Sequence, residues 1–330
     1  MALQCIRKPG PLRRYTACMS RRILLTGVSG FVGGALGAHL IELGYDVTGV
    51  SRSAPRPGST NRHIAHDLAL PFDWPAVDVV VHCAALSSPW ASPAAYQANN
   101  VIATRNLLEH AHARFIFISS SSVHYTHGDQ LGITELTPLP RVAINEYAAT
   151  KRQAEDLVRQ STRPWTILRP RAVFGPGDTV LFPRILRAAR AGKLPRILRP
   201  DLKSPLADLI YVENLSHYIE RVIALEATGT FNLTNSQPVE LNSFLDGILA
   251  RLKLPMPTRT VSVGTAMLFA RAAELVSQYL LNYREPPVTR FGVEAMTYSK
   301  TFDVTKMLAA FGPPPVSIST GVDRFISSLQ

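Results

Sequence analysis

Residues 21–33 read Arg-Arg-Ile-Leu-Leu-Thr-Gly-Val-Ser-Gly-Phe-Val-Gly, a short apolar run followed by a glycine at every third position. The apolar run predicts a buried strand that leads directly into a turn. A helix with leucines at positions 36, 40 and 43 follows, and Gly44 ends it. Residues 46–50 form the next predicted strand, so this stretch is a strand–turn–helix–strand unit that opens a parallel sheet.

The three glycines of the turn have separate predicted roles. Gly27 permits a tight turn, Gly30 lets the backbone approach a pyrophosphate, and Gly33 lets the helix pack closely on the sheet. The N–H groups at the helix start, at Phe31 and Val32, add positive potential for phosphates. The spacing is Gly-x-x-Gly-x-x-Gly and not Gly-x-Gly-x-x-Gly. With strands on both sides it predicts dinucleotide binding.

The end of the second strand predicts which dinucleotide binds. NAD-binding folds place an acid here for the ribose 2′-OH, whereas NADP requires a cation for the 2′-phosphate. This chain has Ser51-Arg52-Ser53, so Arg52 is expected to pair with the phosphate and the serine hydroxyls to add hydrogen bonds. NADP is therefore favoured, with NAD left open. The alternative is that Arg52 is an ordinary surface residue of the polar loop 51–61.

Strands and helices continue to alternate after this loop. Strands are predicted at 64–68, 77–85, 115–118 and 165–170, with intervening helices. This alternation predicts a doubly wound parallel α/β sheet, in which ligands bind beyond the carboxyl ends of the strands. Small residues after the second of these strands would let a cofactor lie against the backbone. The cofactor-binding candidates in this part are Asp67, which is expected to reach the adenine amine, and Leu68, Ala84, Ala85, Asn100 and Pro170.

A tyrosine and a lysine lie four residues apart in Tyr147-Ala-Ala-Thr-Lys151. On a helix this spacing puts both side chains on one face, where an ammonium would lower the phenol pKa toward neutral pH. The spacing alone also fits a solvated helix. The serines at 119–122 follow a predicted buried strand, so their hydroxyls are expected at the ligand-binding edge of the sheet.

Taken in order, these motifs resemble the extended short-chain dehydrogenase/reductase superfamily, specifically its NAD(P)-dependent epimerase/dehydratase group. The resemblance covers residues 21–330 and implies a Rossmann sheet with a smaller, mostly helical C-terminal substrate domain. It implies a catalytic set of Ser120, Tyr147 and Lys151, with Lys151 also holding the nicotinamide ribose. Segments 208–215 and 286–306 resemble the 3β-hydroxysteroid dehydrogenase-like branch, which includes sterol-carboxylate dehydrogenases and bacterial β-keto acid reductases.

Two residues that depart from family patterns narrow the expected chemistry. Dehydratases carry an acid after the catalytic serine, where this chain has Ser121, and nucleotide-sugar enzymes usually carry an arginine where it has Ala207. We therefore expect an NADP(H)-dependent oxidoreductase that interconverts a carbonyl and a secondary alcohol on a small or lipophilic substrate. The alternative is a nucleotide-sugar 4-epimerase or 4-keto reductase. The basic segment 184–203 supports that alternative, although it equally fits a solvated helix face.

Composition excludes several other classes of protein. The 330 residues are 46% hydrophobic and 18% charged, which fits a globular protein. The net charge is +11, but residues 1–22 hold six basic residues and no acid, so +5 remains for the rest. No basic run interleaved with aromatic residues indicates nucleic-acid binding. The three cysteines form no Cys-x-x-Cys pair, so no metal site is expected. They also form no disulfide framework, which fits a reducing cytoplasmic location.

The predicted organisation has three parts. Residues 1–18 are expected to be a disordered extension upstream of a true start at Met19. Residues 19–170 form the dinucleotide-binding domain, with segments near 208–234 returning to it, and 171–330 form the substrate domain. Residues 263–281 predict an amphipathic helix: a lid over a lipophilic pocket, a peripheral membrane helix or an ordinary packed helix. A homodimer is also left open.

Overall fold

The structure, a computed structural model, describes residues 21–330. Its first half alternates strands and helices as the sequence predicts. A π-helix, Gln97–Ile102, joins two short α-helices, and a 3-10 turn, Ser121–His124, follows the fifth strand. The other elements of this half are β1 (Arg22–Thr26), α1 (Phe31–Glu42), β2 (Asp46–Ser51), β3 (Arg62–Ala65), β4 (Val79–His82), α2 (Pro93–Tyr96), α3 (Ala103–His110), β5 (Arg114–Ile118), β6 (Gln130–Ile133), α4 (Glu146–Gln160) and β7 (Trp165–Pro170).

The second half contributes mostly helices and very short strands. Its elements are β8 (Val173–Phe174), α5 (Phe182–Arg190), β9 (Arg196–Leu198), β10 (Leu206–Ala207), β11 (Ile210–Tyr211), α6 (Val212–Leu225), β12 (Gly229–Leu233), β13 (Val239–Glu240), α7 (Leu241–Arg251), β14 (Thr260–Ser262), α8 (Val263–Leu280), α9 (Arg290–Thr297), β15 (Lys300–Phe302), α10 (Thr305–Phe311) and α11 (Ile318–Ser327). The predicted extension 1–18 lies outside the described residues, and the domain boundary at 170/171 stays a prediction.

A seven-stranded sheet with the order β12-β7-β5-β4-β1-β2-β3 forms the centre of the fold. Every neighbouring pair in it is parallel. The strand order reverses between β1 and β4, and ligands of such sheets bind at this switch point, beyond the carboxyl ends of the strands. The prediction of a doubly wound parallel sheet is confirmed, and the late strand β12 forms one of its edges.

Alternating side chains of the strands build a core on each face of the sheet. In β1, Ile23 and Leu25 belong to one core with residues of α1 and α6, while Leu24 belongs to the other with residues of α3 and α4. Adjacent residues of a strand point to opposite faces, so a strand buried on both sides is apolar at most of its positions. A third core lies among α5, α7 and α11.

Two predicted strands are shorter in the structure. The strand predicted at 64–68 ends at Ala65, because Asp67 starts a turn in which its carboxylate accepts a hydrogen bond from Ala69 N at 3.0 Å. The strand predicted at 77–85 ends at His82, which leaves the small residues after it outside the sheet. Across residues 21–330, no helix combines the length and the apolar character needed to cross a membrane.

Candidate active site

The glycine-rich turn has the geometry that its spacing predicts. Gly27 has φ +78°, and a Cβ added there would lie 2.9 Å from the backbone nitrogen of Ala84, after β4. A Cβ on Gly33 would lie 2.3 Å from the carbonyl oxygen of Gly27, so any side chain would push α1 away from the turn. Gly30 is exposed and precedes α1. The turn is therefore tight on the protein side and open at Gly30.

The start of α1 can hold the phosphates of a dinucleotide. No side chain caps this helix, so the N–H groups of Phe31 and Val32 are left for a ligand. Thr26 Oγ1 accepts a hydrogen bond from Ala84 N at 3.0 Å, which holds the ends of β1 and β4 together. Ala84 and Ala85 are partly exposed beside the turn. These residues fit a dinucleotide pyrophosphate at the switch point of the sheet.

The polar loop after β2 places two arginines near this turn. Arg52 lies 3.8 Å from Asp67, and both side chains are largely exposed. The hydroxyl of Ser51 donates to Ser53 O and lies 2.9 Å from His63 Nε2, so it does not point toward a 2′-phosphate as expected. Because Ser51 is buried within the sheet, its hydroxyl must find partners inside the protein.

The second cation of this loop, Arg56, was missed by the sequence reasoning. Its backbone nitrogen donates to Val28 O, and its guanidinium donates to Gly177 O at 2.9 Å. A Cβ on Gly34 would lie 2.3 Å from Arg56 Cδ, so this side chain crosses the first turn of α1. The only sequence signal was a second arginine four residues after Arg52.

The side chain of Asn100 links two parts of the described chain. It is buried in the π-helix, its Oδ1 accepts a hydrogen bond from Leu86 N at 2.8 Å, and its Nδ2 donates to Thr150 at 3.1 Å. Both polar groups of the side chain have protein partners. These bonds tie the segment after β4 to α4, and the contact of Asn100 with the cofactor stays a prediction.

Two of the predicted catalytic residues meet beyond the carboxyl end of β5. Ser120 follows that strand, and its hydroxyl lies 2.9 Å from Ser122 Oγ. The phenol of Tyr147, near the start of α4, interacts with the Ser120 side chain. Burial raises the pKa of Tyr147 to about 12, against a smaller lowering by that hydrogen bond. Tyr147 is thus a protonated phenol, which can donate its proton.

The ammonium of Lys151 is held at the end of β5. Its ammonium donates to the carbonyl of Ile118 at 2.7 Å and lies 4.5 Å from the centre of the Phe117 ring. Burial lowers the pKa of Lys151 to about 8. Burial is the larger effect on the pKa of the Tyr147 phenol, and the predicted lowering of that pKa by Lys151 stays a prediction.

A buried ionic network lies directly behind this pair. The carboxylate of Glu155 is fully buried and accepts two hydrogen bonds from Arg169, at 2.8 and 2.6 Å. It also accepts one from the hydroxyl of Ser119 at 2.6 Å, and Arg169 Nη1 lies 2.7 Å from His124 Nε2. Burial alone would raise the pKa of Glu155, but Arg169 and Ser119 hold it below its ordinary value.

Three of the seven cations in the basic segment 184–203 are paired with acids within the described part of the chain. Arg184 forms an ion pair with Glu285 at 2.5 Å, and Arg196 pairs with Asp246 at 2.8 Å. Arg199 pairs with two aspartates. Ala207 is buried in β10, so no cation occupies that position. These pairs weaken the interpretation of the segment as a diphosphate clamp. Within 21–330, no cluster of His, Cys, Asp or Glu side chains could hold a metal ion.

Comparison with known proteins extends these observations. A match to the NAD dependent epimerase/dehydratase family covers residues 23–233. A 2-alkyl-3-oxoalkanoate reductase from Stenotrophomonas maltophilia is 30% identical over 93% of this chain and 99% of that protein. A 3beta-hydroxysteroid-dehydrogenase/decarboxylase isoform 2 from Arabidopsis thaliana is 31% identical over 77% of this chain and 48% of that protein.

A solved structure shares the fold. MoeE5 in complex with UDP-glucuronic acid and NAD has a TM-score of 0.73 at 23% identity, over 93% of this chain and 98% of that chain. The family description and the named relatives support NAD(P)-dependent oxidoreductase activity. The resemblance inferred from the motifs is confirmed. The chain belongs to the NAD dependent epimerase/dehydratase family.

Proposed function

We propose that this protein reduces the ketone of an apolar-chain β-keto acid to the secondary alcohol, with NADPH as the reductant. The observation that carries the proposal is the pairing of Ser120 and Tyr147 beyond the end of β5, on the same edge of the sheet as the glycine-rich turn. A protonated phenol and a hydroxyl placed together there can serve one carbonyl oxygen.

The residues divide the reaction between them. The nicotinamide cofactor, when bound, supplies the hydride to the carbonyl carbon. Tyr147 gives its proton to the carbonyl oxygen as that oxygen gains charge, so the product is a neutral alcohol. The hydroxyl of Ser120 donates a hydrogen bond to the same oxygen, an interaction that strengthens as negative charge develops. Lys151 would hold the nicotinamide ribose.

Three observations support the choice of substrate class. The 2-alkyl-3-oxoalkanoate reductase aligns over nearly its whole length, whereas the steroid dehydrogenase/decarboxylase aligns over less than half of its own. Ser121 supplies no carboxylate for dehydration, and Ala207 supplies no cation for a sugar diphosphate. A ketone with an apolar chain requires neither group. The nucleotide-sugar alternative rests on fold similarity at 23% identity and on a basic segment in which Arg184 and Arg196 are already paired with acids.

A substrate screen tests the proposal directly. NADPH oxidation is followed with β-keto acids, steroid ketones and keto-sugars, in parallel with thermal shifts on adding UDP-sugars. We expect turnover with β-keto acids of long alkyl chain, and kcat/KM at least about a hundredfold lower with keto-sugars, whose polar groups would remain unpaired. A thermal shift with a UDP-sugar, together with epimerisation and no net NADPH oxidation, would establish the alternative instead.

Replacing Arg52 with serine is expected to change the cofactor preference. Loss of a charge-assisted pair with the 2′-phosphate should raise the KM for NADPH by about 10- to 100-fold and leave the KM for NADH within about twofold. Arg62→Ser is the matched control, because Arg62 is equally exposed but pairs with Asp46 on the neighbouring strand. An unchanged ratio of the two KM values in Arg52→Ser would remove the case for NADP.

A further inference from the structure

Helix α8 buries a polar side and exposes an apolar one, the reverse of an ordinary surface helix. Its buried residues are Ala270, Glu274 and Ser277, one small and two polar. Its exposed face carries the large apolar side chains Leu268, Phe269, Leu275, Val276, Tyr279 and Leu280. A surface helix normally buries its apolar stripe and exposes its polar one. Ordinary packing of that stripe on the protein, one of the alternatives for 263–281, is therefore not what the structure shows.

Polar contacts hold the helix in this orientation. Glu274 accepts hydrogen bonds from the backbone and the side chain of Arg290, at 2.7 and 2.6 Å. The hydroxyl of Ser277 donates to the carbonyl of Arg284 and accepts a hydrogen bond from Trp90 Nε1 at 2.7 Å. Rolling the helix to bury its apolar face would break these bonds and expose both buried groups. The outward direction of the apolar face is thus fixed by hydrogen bonds within the fold.

The apolar surface of the described chain is concentrated at this helix. Of the nineteen large hydrophobic side chains that are exposed between residues 21 and 330, seven lie between 268 and 281. Leu268, Tyr279 and Leu280 are each more than 70% exposed. Exposed apolar side chains are normally scattered, and a contiguous patch marks a surface that binds something.

We propose that α8 docks this protein on the surface of an anionic phospholipid bilayer, with the helix lying in the plane of the interface. The charges around the patch match such a surface. Arg271 is the one ionic side chain on the exposed face, and neither it nor Arg284 has an ion-pair partner among the described residues. The acids nearby, Glu274 and Glu285, are paired with arginines. Apolar side chains flanked by unpaired cations suit lipid headgroups.

A second copy of the chain fits this face less well. A stable dimer interface buries about 800 Å² per partner over some 20–30 residues, far more than one helix face offers. Arg271 would be buried in the middle of such an interface. At a bilayer its stem can lie along the apolar surface while the guanidinium reaches the headgroups. The bilayer therefore accommodates every residue of the face.

A chain of side-chain contacts connects this helix to Tyr147. Its Ser277 holds Trp90, and Trp90 lies two residues after Ser88, whose carbonyl accepts a hydrogen bond from the Tyr96 hydroxyl at 2.6 Å. The Tyr96 ring lies 6.3 Å from that of Tyr147. Docking through α8 would bring the active site close to lipids, where an apolar-chain ketone accumulates. The docking itself does not depend on the substrate.

Vesicle flotation tests the docking. The full-length protein is mixed with phosphatidylcholine vesicles containing 30% phosphatidylserine or none, each about 100 nm across. We expect the wild type to float with the anionic vesicles. The double variant Phe269→Ser/Leu280→Ser should lose at least about tenfold in bound fraction, because two apolar anchors are removed. Arg271→Gln should lose about fivefold with anionic vesicles only.

The matched control is Leu136→Ser/Val142→Ser, which removes two apolar side chains that are 92% and 83% exposed but lie far from α8 in sequence. It should float like the wild type. NADPH turnover with a soluble substrate should be unchanged in all variants, which separates docking from the proposed reaction. Thermal melts verify folding, and Tyr279→Ser replaces the double variant should that one unfold.

Three results would overturn the proposal. The first is a wild type that remains unbound to anionic vesicles. The second is a set of α8 variants that float as well as the wild type. In the third, sedimentation velocity would show a dimer that the α8 variants dissociate, which would assign the face to a second copy of the chain.

Discussion

The variant Tyr147→Phe is expected to lower kcat for ketone reduction by about a thousandfold, the range for loss of a positioned proton donor. The phenol interacts with the Ser120 side chain, and its pKa of about 12 keeps it protonated over the whole working range of pH. Phenylalanine keeps the ring and its packing and removes only the hydroxyl. The change should therefore affect the chemical step and not the fold.

Measuring cofactor binding separates a loss of the chemical step from a loss of the fold. The dissociation constant for NADPH, from fluorescence titration, should remain within about twofold, because Tyr147 interacts with Ser120 and not with the glycine-rich turn. Tyr96→Phe is the matched control: that ring is 6.3 Å away, but its hydroxyl donates to Ser88 O. The control should keep most of its turnover. Turnover in Tyr147→Phe close to that of the wild type would refute the proposed mechanism.

Replacing Arg169 with methionine is expected to lower the free energy of unfolding by about 3–5 kcal/mol, the usual cost of removing one partner of a buried ion pair. Arg169 contributes two hydrogen bonds to Glu155 and faces His124, and all three side chains are buried. Methionine fills much of the space but leaves the buried Glu155 carboxylate with only the partly exposed Arg159 as a counter-charge. Urea unfolding at pH 7 measures the loss.

A control variant and a second measurement test whether the loss of stability comes from the buried ion pair. Arg62→Met breaks an exposed ion pair with Asp46 and should cost no more than about 1 kcal/mol. The pH dependence gives a second readout. Because the pKa of Glu155 is held below its ordinary value of 4.5, the carboxylate stabilises the fold above that pH, and the stabilisation is lost as pH falls through the folded pKa. Between pH 6 and pH 3, Glu155→Gln should therefore lose less stability than the wild type. Equal losses would place the stabilising role elsewhere.

The part of the fold built from local pattern could be predicted from the sequence. The mainly apolar runs 115–118 and 165–170 predicted strands within one residue of their observed bounds, because a strand buried on both faces is rich in apolar residues. The glycine spacing predicted the turn at Gly27 because only glycine adopts its φ without strain. Strand ends set by a polar turn, as at Asp67, were predicted less well.

Features that depend on distant partners could not be predicted in the same way. The role of Glu155 depends on Arg169 in β7 and on Ser119, which follows β5, although its position four residues after Lys151 placed it on the same helix face. The apolar period of α8 predicted which side chains share a face, but not that the face points outward. That direction is determined by Trp90 and Arg290, far away in sequence.

The edge position of β12 restricts how this chain can be divided. A chain cut after Pro170 would end with β7 as an open edge, a row of unpaired backbone groups that can template pairing with other molecules. It would also lack α6, which covers α1 with Leu215 and Ile219. The shortest self-sufficient nucleotide-binding unit therefore runs past Leu233. Chimeras that exchange substrate-recognition parts between relatives must keep 212–233 with the N-terminal part, which requires three crossover points instead of one.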